Sequence, residues 1–150
     1  MQLEIDIQNA SDYYSPTKET FSYWLETALN TLEISLTDNI EISIRIVDSG
    51  EIQRLNRDYR QRDKPTNILS FAADLPADVQ PRLLGDLVIC APIVAAEAIN
   101  QGKNKTSHWA HMVIHGLLHL LGYDHVTDAE ALEMETLEAK LLAELNQETC

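Results

Sequence analysis

The chain predicts an α+β fold, a mixed sheet of about four strands covered by helices in the order βαβαββααα. Three observations carry this. Apolar residues alternate in LEIDIQ and EISIRIV, the period of half-buried strands. GDLVICA is apolar almost throughout, as a strand covered on both faces in the middle of a sheet must be. Between and after these runs lie segments with apolar residues three and four apart, the spacing of helices that cover a sheet. A length of 150 residues with 45% hydrophobic content suits one domain, residues 1–150, with a full core.

In the first strand Leu3, Ile5 and Ile7 share a face. Ser15 before Pro16 has the form of an N-cap and first helical position. The helix it opens, to about Glu33, carries Phe21, Trp24, Leu25, Ala28, Leu29 and Leu32. Two strands joined through such a helix predict a parallel pair with a right-handed crossover. After EISIRIV, Asp48 with Glu51 three residues on has the form of a capping box and starts a helix through Leu55 to about Tyr59. The polar loop QRDKPTN leads to a short strand, ILSFA. A long loop with Pro76 and Pro81 precedes GDLVICA, and Pro92 opens a helix to about Asn100. WAHMVIHGLLHLL, apolar almost all round, reads as a buried helix ending near Leu121. An acidic helix from about Thr127 to Leu145 follows, with Leu132, Leu137, Leu141 and Leu145 as its expected buried stripe.

Two cysteines, Cys90 in an apolar run and Cys150 at the end, give no disulfide framework, so a reducing cytoplasm is expected. MQLEIDIQNA lacks the apolar run of a signal peptide and no segment has the length of a membrane span, so no membrane association is expected. The net charge of −13 opposes binding to polyanions if spread evenly. It is not spread evenly. Arg54, Arg57, Arg60, Arg62 and Lys64 share an eleven-residue window with only Asp58 and Asp63, whereas from Asp128 onward seven acids face Lys140 alone. A basic face for a polyanion is therefore available despite the total.

Three of the five histidines, His115, His119 and His125, fall within eleven residues in HGLLHLLGYDH. His115 and His119 lie one helical turn apart, about 6 Å along the axis, which facing imidazoles close around an ion with N–metal bonds of about 2.0–2.1 Å. His111 lies on the same face but about 12 Å from His119, so the three cannot share one ion on a straight helix. The third ligand must come from a chain that turns back. Gly122 supplies a left-handed cap residue for that turn and brings His125 round. Three imidazoles leave a coordination position open, the catalytic rather than the structural pattern, and place a metal site at the end of a buried helix. Zinc is the expected ion, one per chain, although such a set also accepts other divalent transition metals. His108 and His111 are read as structural or supporting groups.

Three blocks, LNRDYRQRDKPTNILSF, GDLVICAP and HMVIHGLLHLLGYDH, resemble the YbeY family of bacterial ribosomal-RNA maturation endoribonucleases, and the likeness spans nearly the whole chain. The resemblance implies zinc ligands at His115, His119 and His125 and an essential arginine at Arg60, which the residues alone do not distinguish from Arg57 or Arg62. It also implies maturation of the 3′ end of small-subunit ribosomal RNA, a role in ribosome quality control, and as partners the small ribosomal subunit and its proteins. Asn67 is assigned no charge-dependent role, and Asp124 is read as a turn-forming or supporting residue. The expected activity is a zinc-dependent, single-strand-specific endoribonuclease with Arg60, His115, His119 and His125 as catalytic residues. A zinc hydrolase of another class is the first rival; Gly116, where HExxH proteases carry their general base, argues against an amide substrate. The second is a metal-stabilised ribosome-binding module that recruits a separate nuclease.

Overall fold

Alternation in the second strand sets the sheet. Ile40, Ile42, Ile44 and Ile46 are each at most 1% exposed, and each buried side chain contributes about 1.5–3 kcal/mol. The computed structural model describes residues 2–34, 39–73, 82–124 and 126–148. Its elements are β1 (Gln2–Asn9), α1 (Lys18–Thr31), β2 (Asn39–Val47), α2 (Ser49–Arg60), β3 (Ile68–Ala72), β4 (Arg82–Cys90), α3 (Ala91–Asn100), α4 (Lys105–Leu120) and α5 (Asp128–Glu148). This is the expected α+β order. The loop expected around Pro76 and Pro81 lies outside the described residues.

The strands run β1-β2-β4-β3, with β1, β2 and β4 parallel and β3 antiparallel on the edge beside β4. Apolar GDLVIC thus sits inside the sheet, as its composition requires. The larger core lies on one face, where Phe21 and Trp24 of α1 and Trp109 of α4 meet edge to face at 6.0 Å between ring centres. A smaller core on the other face joins Ile52 and Leu55 of α2 to Val47, Leu69 and Val88. Ile68 and Leu69 therefore point to opposite faces of β3, Ile68 toward α4 and Leu69 toward α2.

Three local expectations are corrected. Thr17, not Ser15, caps α1, its side chain accepting from the Thr20 amide at 3.2 Å, so Pro16 precedes the helix. Asp48 occupies the N-cap of α2 without a side-chain cap bond, and no capping box forms. Its Oδ1 accepts from the Ser11 hydroxyl at 2.6 Å, and Glu51 is drawn to the Arg45 guanidinium instead. Leu132 is 66% exposed, while Met134, Leu141 and Leu145 are buried and Leu137 partly so. Two residues turn a helix by about 200°, so a stripe through Met134 puts Leu132 on the far side.

Candidate active site

Helix α4 is held against the sheet by the absence of a side chain at Gly116. A Cβ there would lie 2.7 Å from Leu87 Cδ2 and 2.8 Å from Ile68 Cδ1. This position faces the sheet, so a glutamate there would enter the core and not the cleft where His115 and His119 lie. The helix ends as its sequence predicts. Gly122, at φ 101°, donates to the His119 carbonyl and Tyr123 donates to the Leu118 carbonyl, both at 3.0 Å, the paired bonds of a Schellman cap. The chain thereby reverses at the end of the histidine face. His125 lies outside the described residues.

On that face the imidazoles of His115 and His119 confront each other, Nε2 to Nε2, at 3.2 Å. Two nitrogens bonded to one ion at about 2.0–2.1 Å stand that far apart when the N–metal–N angle is about 100°, so this pair fits a shared divalent ion. Among the described residues no three His, Cys, Asp or Glu side chains converge as a complete ligand set.

Behind the pair stands a carboxylate that sequence reasoning missed. Glu138 of α5 meets His115 Nδ1 through Oε1 at 2.5 Å and His111 Nε2 through Oε2 at 3.1 Å. His111 Nδ1 in turn lies 3.3 Å from Lys103 Nζ. Burial alone pushes the Glu138 carboxyl up, but hydrogen bonds from His111 and His115 outweigh it and hold the group at about 2. The signal was present in the sequence: Glu138 falls four residues after Met134 and three before Leu141, inside the apolar stripe of an otherwise solvated acidic helix. His108 is buried and meets Glu97 through Nε2 at 3.0 Å, while Asn67 donates to both Glu97 oxygens at 3.2 Å and accepts from the Ile68 amide at 2.7 Å. Both side chains are tied through Glu97 into one packed network.

A cleft of about 760 Å³ runs beside the imidazole pair, lined by Arg60, Arg62 and Lys64 on one side, the edge of β3, and His115, His119 and Asp124 on the other. Arg60 starts from α2, on the opposite face of the sheet. Its Nη2 donates to the Ser70 carbonyl at 2.8 Å, on the outer edge of β3, and its guanidinium lies 4.9 Å from the centre of the Phe71 ring. The second half of the basic window is thus in the cleft. Arg54 and Arg57 are not among its lining residues, and Arg57 pairs with Asp58 at 3.1 Å.

A mixed sheet whose antiparallel edge strand separates a paired-histidine helix end from a basic loop defines a class of α+β protein with an open cleft lined by both imidazole and basic side chains. The model of the family described as "Endoribonuclease YbeY" matches residues 6–146, and the chain belongs to that family. It is 54% identical over 144 residues to the endoribonuclease YbeY of Pseudomonas entomophila strain L48, covering 95% of this chain and 89% of the relative. To the endoribonuclease YbeY of Cellvibrio japonicus strain Ueda107 it is 51% identical over 144 residues, with 96% and 79% covered. The solution structure of a Thermotoga maritima protein has the same fold, with a TM-score of 0.65, 27% identity, and 97% of this chain and 91% of that one covered. Among the described residues no helix is long and apolar enough to cross a membrane.

Proposed function

We propose that this chain is a zinc-dependent endoribonuclease that cleaves single-stranded ribosomal RNA in maturation of the small-subunit 3′ end and in ribosome quality control. The observation that carries the reading is the sharing of one cleft by two facing imidazoles and three basic side chains. An overall charge of −13 disfavours RNA everywhere else on the molecule, so the strand must enter where positive potential is concentrated. The family membership supports the same activity.

His115, His119 and, by its place in the motif, His125 would hold the ion. A bound divalent ion supplies Lewis acidity toward a phosphoryl oxygen and lowers the pKa of water at the site. The protein's own contribution is position and charge. Arg60, held by the Ser70 carbonyl and the Phe71 ring, presents its remaining donors to a phosphate in the cleft and stabilises charge that grows in the transition state. Arg62 and Lys64 hold the flanking backbone without reading bases. Position 116 is a glycine turned to the core, so this chain lacks the glutamate that serves the HExxH proteases as general base.

The test is metal analysis of the purified protein together with cleavage of a labelled single-stranded RNA, with and without chelator. One zinc per chain and chelator-sensitive cleavage are expected. Undiminished cleavage after complete metal removal overturns the zinc dependence. A metal-loaded protein that binds ribosomal RNA but never cuts it supports the recruiting module instead.

A further inference from the structure

We propose that Glu138 is the positioning residue of the histidine centre: its carboxylate fixes His115 as the Nδ1–H tautomer and so commits the His115 Nε2 lone pair to the side where His119 stands. The proposal builds on the metal reading above, but its central claim concerns a proton on the protein.

With Glu138 as a carboxylate and both rings neutral, one arrangement of hydrogens follows. A carboxylate only accepts, so the two ring nitrogens it meets, His115 Nδ1 and His111 Nε2, must both carry protons. A neutral imidazole has one N–H, which leaves His115 Nε2 as the acceptor facing His119 Nε2 at 3.2 Å. His111 Nδ1 is then an acceptor too, and Lys103 Nζ, with protons to give, lies 3.3 Å away. The chain of donors and acceptors closes without conflict from Lys103 through His111 to Glu138, and from His115 to the same carboxylate.

Two attachments do what one cannot. A carboxylate bonded through a single oxygen swings about its terminal torsion, which is broad. With Oε1 on His115 and Oε2 on His111 the plane of the group is set, and with it the direction from which His115 Nδ1 is held. Packing gives no other reason for an acid here. The side chain is 12% exposed, and leucine or methionine would continue the stripe of Met134, Leu141 and Leu145. Burying a carboxylate is costly unless it is fully hydrogen-bonded, so a residue retained for packing alone would not be charged. His111 also gains a function: through Glu138 Oε2 it orients the group that orients the pair.

The test uses the full chain as Glu138→Gln and His111→Ala. Long-range ¹H–¹⁵N NMR of the metal-free protein reads the tautomer of His115 directly. Wild type is expected as Nδ1–H. In E138Q one oxygen becomes an NH2 donor, so the two histidine protons can no longer both be accepted, and His115 is expected as a mixture or as Nε2–H. Zinc affinity, from competition with a chromophoric chelator, is expected to fall by about 10–100-fold in E138Q and by less in H111A, which keeps the bond to His115. A folded E138Q with the wild-type tautomer and affinity overturns the proposal. Should E138Q fail to fold, wild-type His115 found as Nε2–H overturns it equally. If wild type binds no zinc, the metal reading fails while the tautomer still decides the role of Glu138.

Discussion

The two walls of the cleft are built to different tolerances. On the histidine wall the imidazoles of His115 and His119 are placed by packed elements: Gly116 seats α4 on the sheet, and Glu138 reaches in from a helix docked through Met134, Leu141 and Leu145. On the basic wall Arg62 and Lys64 rise from an exposed polar loop. The contrast follows from the interactions involved. Coordination of the proposed ion would fail with displacements of a few tenths of an ångström, so such ligands need a core behind them. Attraction of a polyanion decays over about 10 Å, so its cations need only the right side of the molecule. Arg60 is the exception on its wall, because Ser70 and Phe71 hold it as the histidine wall holds its own residues.

If the walls differ in this way, damage to the histidine wall must be the more severe. His115→Ala or His119→Ala should lose the metal and reduce RNA cleavage by at least about a thousandfold, several kcal/mol of transition-state stabilisation, while binding of uncleaved RNA persists. Metal content and single-turnover rates measure this; retained metal in both variants removes the pair from the site. Arg60→Ala comes next. Loss of one preorganised donor at the reacting group should cost about 100-fold in kcat, with RNA affinity changed by less than about tenfold. Equal losses in both would place Arg60 with the loose residues of its wall.

The fold was readable because its signals are repetitive. Four isoleucines at every second position of β2 and an apolar β4 mark an alternating strand and an interior one, while the order β1-β2-β4-β3 was not legible before the structure. The histidine pair and the Gly122 turn were readable because each depends on residues close in sequence. What escaped notice depended on which of several competing partners the folded chain supplies. Asp48 and Glu51 have capping-box spacing, but Ser11 and Arg45 claim them. Ser15–Pro16 imitates a helix start that Thr17 makes two residues later. Glu138 looked like one acid among seven because the expected stripe of α5 was phased on Leu132, which the fold exposes, and not on Met134, which it buries. Arg60 could not be separated from its neighbours by composition; the feature that distinguishes it is its bond to Ser70 on the edge of β3, ten residues away but on a different element.

The packing behind the histidine wall can be tested without RNA. Gly116→Val should destabilise the protein by about 1–3 kcal/mol in denaturant unfolding, since its Cβ meets Leu87 and Ile68 at less than van der Waals contact in a packed core. A neutral result would mean that α4 is not seated by this contact. On the other wall Arg62→Ala and Lys64→Ala should each weaken RNA binding uniformly across sequences and lower the slope of log affinity against log salt by about 1. An unchanged slope would remove that residue from the RNA path.

The smallest effect belongs to a region that serves neither wall and so marks the background against which both are judged. Arg45 of β2 holds Glu51 of α2 in a two-pronged ion pair and also donates to Gln8 of β1 at 3.0 Å. The hydrogen bond from Arg45 keeps the Glu51 carboxyl below its ordinary value of 4.5. A carboxylate whose pKa is lower folded than unfolded releases its proton more readily in the native state. Its stabilisation is therefore present in full above the unfolded value and disappears as the pH falls through the folded one. With the Arg45 side chain 37% exposed, solvent screening limits the pair to about 0.5 kcal/mol. Comparing wild type with Glu51→Gln by denaturant unfolding should show that small difference at pH 7 and none well below pH 4, with RNA cleavage at pH 7 unchanged. A loss of cleavage in E51Q would show that the far end of α2 transmits its position to Arg60, and the separation of the cleft from its scaffold would have to be redrawn.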